Sequence, residues 1–322
     1  MTTPRFINEG KPPLLIERAG GRGRQQNVEA SRSLCRGGGR ETLAGLLLEV
    51  GAVLLRGFGP LEPAEFGRFV RDFSGGRPLD YVGGASPRVK VCEGVYTSTE
   101  YPRHYTLSLH NELSYTYRWP GHLYFYCDTP AAVGGETPLA DSRTLLSKID
   151  AGVAARFKEK GVRYERRLHG GAGVGLSWQE AFETDDRDMV EEYCRAGNVS
   201  YAWGEDGGLR TSQVRPATHV HPLTGEEVWF NQADAFHVSG MHPETYREYI
   251  SRMSEGEFPL NACHGDGSAI DPAALAHVRE VMAAEMSLFD WRAGDLLVLD
   301  NVLAAHGRMP FSGARRVLVA MT

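Results

Sequence analysis

The stretch Leu107-Ser-Leu-His-Asn-Glu-Leu-Ser-Tyr115 sets the reading of the whole chain. From Thr106 to His110 polar and apolar residues alternate, the period of a strand with one buried face. His110 and Glu112 stand two residues apart, so on an extended backbone their side chains point to the same face. A second histidine from a distant strand would complete a face of two imidazoles and one carboxylate. Such a face leaves three positions of an octahedral iron(II) open, enough for a chelating 2-oxo acid and dioxygen. A structural zinc site would instead be closed by four protein ligands.

The spacing alone is weak, because 11 histidines and 41 acidic residues in 322 supply roughly one or two such pairs by chance. The chain has three: His110-Asn-Glu112, His242-Pro-Glu244 and His264-Gly-Asp266. His242 precedes Pro243 at what reads as a helix start, where Glu244 suits the helix dipole. His264 lies in the Gly-rich run Cys263-His-Gly-Asp-Gly267, which reads as a turn. Only His110-Asn-Glu112 follows a strand pattern and leaves room for several strands before His306. Arg316, ten residues beyond His306 across the turn Met309-Pro-Phe-Ser-Gly313, adds the second element. A buried arginine returning antiparallel would pair bidentately with the distal carboxylate of 2-oxoglutarate.

Working outward, the composition is that of a globular protein, with 42% hydrophobic and 24% charged residues. A net charge of −6 gives no footprint for nucleic acid. Five scattered cysteines without a Cys-x-x-Cys pair fit reduced thiols and a cytoplasmic protein. The first residues lack an apolar signal core and no run reaches the length of a membrane span, so no membrane partner is expected. The Gly- and Arg-rich segment at about residues 20–40 reads as a loop; it lacks the setting of a phosphate cradle. Helices are expected at Glu41–Val50, Pro63–Phe73, within 142–160, at Asp186–Ala196, and from Pro243 and Pro272. Apolar strands are expected at Ala52–Phe58, Gly121–Cys127, Asp295–Asp300 and Arg315–Met321. With no repeat and no linker, residues 1–322 read as a single β-sandwich domain decorated with helices.

At these residues the sequence resembles the taurine dioxygenase-like (TauD/TfdA) family, which also includes clavaminate synthase and γ-butyrobetaine hydroxylase. The resemblance runs from about Ala52 to the C-terminus. It rests on Leu107–Tyr115, then Trp119-Pro-Gly121 and Gly134-Gly-Glu-Thr-Pro138, then Trp291–Asn301, Ala305-His-Gly-Arg308 and Arg315-Arg-Val317. It implies a mainly β fold, a double-stranded β-helix or jelly roll flanked by helices, forming one iron(II)/2-oxoglutarate oxygenase domain. It implies that His110, Glu112 and His306 bind iron(II), and that Thr137 and Arg316 hold 2-oxoglutarate. Arg315 stays open as the alternative, because strand parity separates the two arginines without saying which face is inside.

The implied activity is hydroxylation of an unactivated C–H bond, with dioxygen and 2-oxoglutarate as cosubstrates. The family's breadth points to an amino acid or an amino-acid-derived natural-product intermediate, free or tethered to a carrier protein. Thr106 and Ser108, on the face of His110, and Asn231 are the candidate substrate residues. Tyr115, Tyr117 and Trp119 offer an aromatic cage for a cation, against ordinary packing. Family members that bind sulfonates carry a further arginine four residues past the cosubstrate arginine. Here Ala320 stands there, which speaks against a taurine-like substrate. Glu112 fills the position that halogenases of this chemistry leave empty, which favours hydroxylation over chlorination. The competing class is a cupin-like metal isomerase or binding protein, which would have no use for Thr137 and Arg316.

Overall fold

The computed structural model describes residues 3–19 and 23–322. Its largest element is an eight-stranded sheet, ordered Arg5–Asn8, Lys11–Glu17, Ala52–Arg56, Leu296–Asp300, His122–Thr129, Arg316–Met321, Val95–Thr97 and Lys90–Cys92. All neighbours are antiparallel except Lys11–Glu17 and Ala52–Arg56, which run parallel. A parallel pair needs a crossover connection, and the helices Arg24–Leu34 and Gly38–Val50 lie in that connection. Here the loop expected at about 20–40 is corrected: most of it is helical. Gly20, Gly21 and Arg22 lie outside the described residues.

The central strands are buried on both faces, and for that reason they read as continuous apolar runs rather than alternating ones. On one face Val53, Leu55, Tyr124, Tyr126, Leu296, Val298, Leu318 and Ala320 pack with Leu43, Leu47, Phe66 and Phe69 of the covering helices. On the other, Leu54, Leu123, Phe125, Cys127, Leu297, Leu299, Val317 and Val319 form the larger core with Leu139, Tyr164, Trp229 and Val278. The helix Pro63–Ser74 begins with a proline in its first turn and a reciprocal cap between Glu62 and Glu65, and ends at the left-handed Gly75, as its sequence signals require. All five cysteines are free. Among the described residues no helix is long and apolar enough to cross a membrane.

The jelly roll expected from the resemblance is not what the strands form. Among the described residues they make five separate sheets, and the largest is open, with edges at Arg5–Asn8 and Lys90–Cys92. Among the described residues no sheet closes into a barrel or a double-stranded β-helix. Helices at 24–50, 142–160, 187–196 and 272–285 interrupt the strand succession, so the architecture is mixed α/β. One of the smaller sheets carries Leu107–His110, Ala304–Arg308 and Leu139–Asp141. It faces the larger core, with Phe125 of the main sheet against His306 at 5.4 Å between ring centroids.

Leu297 is fully buried and pairs in register with Leu54 and Phe125. Leu297→Ala is expected to cost about 2–5 kcal/mol of stability. In denaturant it should move the unfolding midpoint with little change in slope. A shift worth much less would show that this face of the sheet is not tightly packed.

Candidate metal centre

Antiparallel pairing sets His306 directly opposite His110, and the next pair, Arg308 with Leu107, is displaced by an irregularity. The two imidazole centroids lie 4.5 Å apart. Gly307 permits this approach, since a Cβ there would lie 2.4 Å from the Leu107 carbonyl oxygen. Past His110 the chain leaves the strand and turns back through Leu113, whose φ is 55°, and Glu112 is carried to the two histidines. One ligand atom from each of His110, Glu112 and His306 lies within 4.8 Å of the others.

Polar contacts hold each member. His110 Nδ1 lies 2.8 Å from the Ser108 carbonyl oxygen. That carbonyl can only accept, so Nδ1 carries the proton and Nε2 is left with a free lone pair. The Glu112 backbone is clamped by the fully buried Asn301, whose Oδ1 accepts the Glu112 N–H at 2.7 Å and whose Nδ2 donates to the Glu112 and Pro120 carbonyls at 3.0 and 2.9 Å. Asn111 donates back to the Asn301 carbonyl at 2.7 Å, and Gln232 to the Asn111 carbonyl at 2.8 Å. Asp300 caps the turn before His306 through the Val302 and Leu303 N–H groups and pairs with His221 at 3.0 Å. Sequence reading missed Asn301 and Asp300. Their signal was the pair of side chains capable of turn bonds ending an apolar strand.

Arg88 donates to Glu112 Oε2 at 2.7 Å, and His306 Nε2 lies 3.6 Å from the same oxygen. Burial pushes the Glu112 carboxyl up, but the Arg88 guanidinium and the two imidazoles outweigh it and hold it well below the usual carboxylate range. Burial, reinforced by His306, pushes His110 down to about 4. A deprotonated carboxylate beside a neutral imidazole with a free lone pair is the donor chemistry a divalent cation needs. The buried His306 Nδ1 has no partner among the described residues.

The cavity at this centre is lined by His110, His306, Phe125, Thr137, Arg88 and Arg315, among others. Thr137 comes from the loop Gly134-Gly-Glu-Thr137, where Gly134 and Gly135 have φ of 70° and 77°. At Gly135 a Cβ would meet the Arg315 side chain at 3.0 Å. Arg315 reaches in from the start of its strand, with Nε on the Gly135 carbonyl at 3.0 Å and Nη1 on Ser98 Oγ at 3.1 Å. Burial, then the neighbouring Arg308, lowers its pKa to about 10.

Arg316, the arginine expected in this place, points away. It pairs with Asp128 at 3.1 Å, and both side chains are substantially exposed, at 45% and 34%. Arg315 lies just before the strand Arg316–Met321, whose pairing with His122–Thr129 is irregular at its first residue, and it lines the cavity while Arg316 turns to Asp128. Four residues beyond Arg315 stands the buried Val319, which also offers no group to a sulfonate.

The three expected substrate residues lie outside the cavity lining. Thr106 is exposed. Ser108 offers its carbonyl oxygen to His110 Nδ1. Asn231 bonds the Ala217 carbonyl and the Ala233 N–H, which makes it a turn residue. Nor do the three aromatics form a cage: Tyr115 packs on Phe236, Tyr117 on Tyr193 and Trp119 on Phe230. The two other histidine pairs are structural. His242 caps the helix Pro243–Ile250, and Asp266 binds Lys160 and Ser268 in the turn after His264.

Two outcomes follow. Asn301→Ala strands the buried Glu112 N–H and carbonyl. It should cost about 1–3 kcal/mol for each unpaired group and weaken metal binding about 10–100-fold, read by denaturation and metal titration. Unchanged metal affinity would show that the clamp does not govern the site. The second concerns pH. A histidine kept neutral by the fold takes up its proton on unfolding, so its contribution is present above the ordinary value of 6.5 and lost as pH falls towards about 4. Between those values the metal-free protein should lose stability more steeply, by about one proton, than His110→Phe. Equal slopes would refute the buried, neutral state.

Residues 17–322 match the family model described as taurine catabolism dioxygenase TauD, TfdA family. The chain is 40% identical over 276 residues to the dapdiamide synthesis protein DdaC of Enterobacter agglomerans, covering 86% of this chain and 83% of the relative. It is 31% identical over 288 residues to a clavaminate synthase-like protein of Arabidopsis thaliana, covering 87% and 83%. The crystal structure of PvcB from Pseudomonas aeruginosa shares the fold, with a TM-score of 0.54 at 18% identity over 99% of this chain and 89% of that one. The chain therefore belongs to the TauD/TfdA family of iron(II)- and 2-oxoglutarate-dependent oxygenases.

Proposed function

We propose that this oxygenase hydroxylates an unactivated C–H bond of a small amino-acid-derived intermediate in natural-product biosynthesis, presented free or on a carrier protein. His110, Glu112 and His306 hold iron(II), and Arg315 with Thr137 holds the distal carboxylate of 2-oxoglutarate. The observation that carries the site assignment is a single cavity lined by both imidazoles, Thr137 and Arg315. Similarity to a dapdiamide synthesis protein supports the substrate class.

Bound iron(II), with 2-oxoglutarate and dioxygen, supplies the oxidising power for C–H hydroxylation. The chain's own residues bind and orient. His110 presents Nε2 because Nδ1 is committed to the Ser108 carbonyl. Glu112 keeps a carboxylate in the third protein position, which favours hydroxylation over chlorination. Thr137 Oγ1 accepts the Trp291 indole N–H at 3.1 Å, so its own hydroxyl proton is free to donate to a carboxylate. Gly135 and Ser98 aim the Arg315 guanidinium. Phe125 and Leu107 form an apolar wall, which excludes water and strengthens these charged contacts.

The test is anaerobic titration of the iron(II) protein with 2-oxoglutarate, read by its metal-to-ligand charge-transfer band. Removing a largely desolvated partner of a carboxylate costs about 2–5 kcal/mol. Arg315→Gln should therefore bind 2-oxoglutarate roughly thirty-fold to several thousand-fold more weakly. Arg316→Gln should stay within about twofold, because exposed ion pairs contribute little. Neither should alter iron affinity in the absence of cosubstrate. A large loss confined to Arg316→Gln would move the anchor back to that residue.

A further inference from the structure

Arg88 lines the cavity beside the metal ligands, and its guanidinium is incompletely bonded among the described residues. Its side chain is only 4% exposed, and its described hydrogen bond runs from Nη2 to Glu112 Oε2. Among the described residues, Nε and Nη1 are buried without a partner. The group lies over the Tyr81 ring, with Cζ 4.4 Å from the ring centroid. The neighbouring arginines differ. Arg308 fills both of its terminal nitrogens with backbone carbonyls of Thr99, Tyr101, Pro102 and Tyr105 and leaves Nε alone without a partner among the described residues. Arg315 is tied to Gly135 and Ser98.

A buried cation is tolerated when it is paired and its N–H groups are bonded. Arg88 has a single counter-charge, Glu112, and a metal ion in this centre draws on the same carboxylate. Metal binding thus leaves a cavity-lining guanidinium with weakened charge compensation and two buried donors unbonded. The chemical group that answers both deficits is a carboxylate, through charge-assisted hydrogen bonds.

We propose that Arg88 is a second carboxylate-binding residue of the cavity, holding a carboxylate beside Glu112 while Arg315 holds the distal carboxylate of 2-oxoglutarate. The inference rests on the proposed oxygenase site. Two sources supply this chemistry: the metal-proximal carboxylate of 2-oxoglutarate and a carboxylate of the primary substrate.

The experiment uses wild-type, Arg88→Gln, Arg88→Lys and Arg315→Gln proteins, after the metal content of each has been measured. One arm titrates the anaerobic iron(II) proteins with 2-oxoglutarate by the charge-transfer band. The other titrates the cobalt(II) proteins with acetate and N-acetylglycine by calorimetry, without 2-oxoglutarate. A loss of tenfold or more in Arg88→Gln, partly restored in Arg88→Lys, is expected in at least one arm. Loss in the first arm assigns the site to the cosubstrate; loss in the second alone assigns it to the primary substrate. Affinities within twofold of wild type in both arms overturn the proposal. So does loss of metal from both Arg88 variants, which would confine the residue to positioning Glu112. Absence of the band in wild-type protein would overturn the cosubstrate reading instead, and the calorimetric arm would still decide Arg88.

Discussion

The antiparallel register that sets His306 opposite His110 is the constraint on which the site depends. Cross-strand neighbours in a sheet lie about 4.5–5.5 Å apart, so register alone brings two imidazoles from positions 196 residues apart in sequence into one coordination sphere. A one-residue slip would turn one of them to the opposite face. Gly307 lets the strands close without a side chain between them, and Leu139–Asp141 pairs along the other edge of the His306 strand and pins it there. The third ligand needs a different device, since Glu112 lies beyond the end of its strand. Asn301 supplies it by bonding the Glu112 backbone as another peptide would. Because Asn301 precedes the His306 strand, Glu112 and His306 are positioned by one rigid turn.

The metal triad was legible in the sequence because its motifs are distinctive. The alternating segment before His110 is a local signal, and the ordered motifs that carry the family resemblance brought Glu112 and the distant His306 to it, although Glu112 reaches the site from a turn rather than from the strand. What escaped was which face of a two-sided strand looks inward. Arg315 precedes and Arg316 opens a strand whose Val317, Leu318, Val319 and Ala320 are all buried, so the apolar pattern marks neither face as the inner one. Only the packing of helices on the Leu318 and Ala320 side decides the matter.

The fold was less legible, for the same reason on a larger scale. Strand positions such as Ala52–Arg56 and Leu296–Asp300 follow from β-branched and leucine-rich runs, and they are where the sequence puts them. Their assembly into an open sheet with a parallel pair depends on the connection from Lys11–Glu17 to Ala52–Arg56. That connection is largely the Gly- and Arg-rich segment, whose composition favours a loop. The helix Arg24–Leu34 has weak intrinsic signals and no side-chain cap. Tertiary contact of Leu34, and of Leu43 and Leu47 in the following helix, with the sheet overrides local propensity.

The distribution of the site over separate elements has an energetic consequence. Both imidazoles belong to the small sheet, Phe125 to the large one, Thr137 to a glycine turn, and Arg88 and Arg315 to segments bordering the cavity. No single hydrogen-bonded ladder fixes these groups relative to one another, so their geometry is set by packing between layers. Close-packed interiors resist small displacements. The contact of Phe125 with His306 therefore transmits the position of the large sheet to the metal ligands. The buried polar links — Asn301 to Glu112, Asp300 to His221, Arg88 to Glu112 — add direction to what packing supplies as distance. Apolar contact fixes how near the layers come, and the polar network fixes which atoms face the open coordination positions.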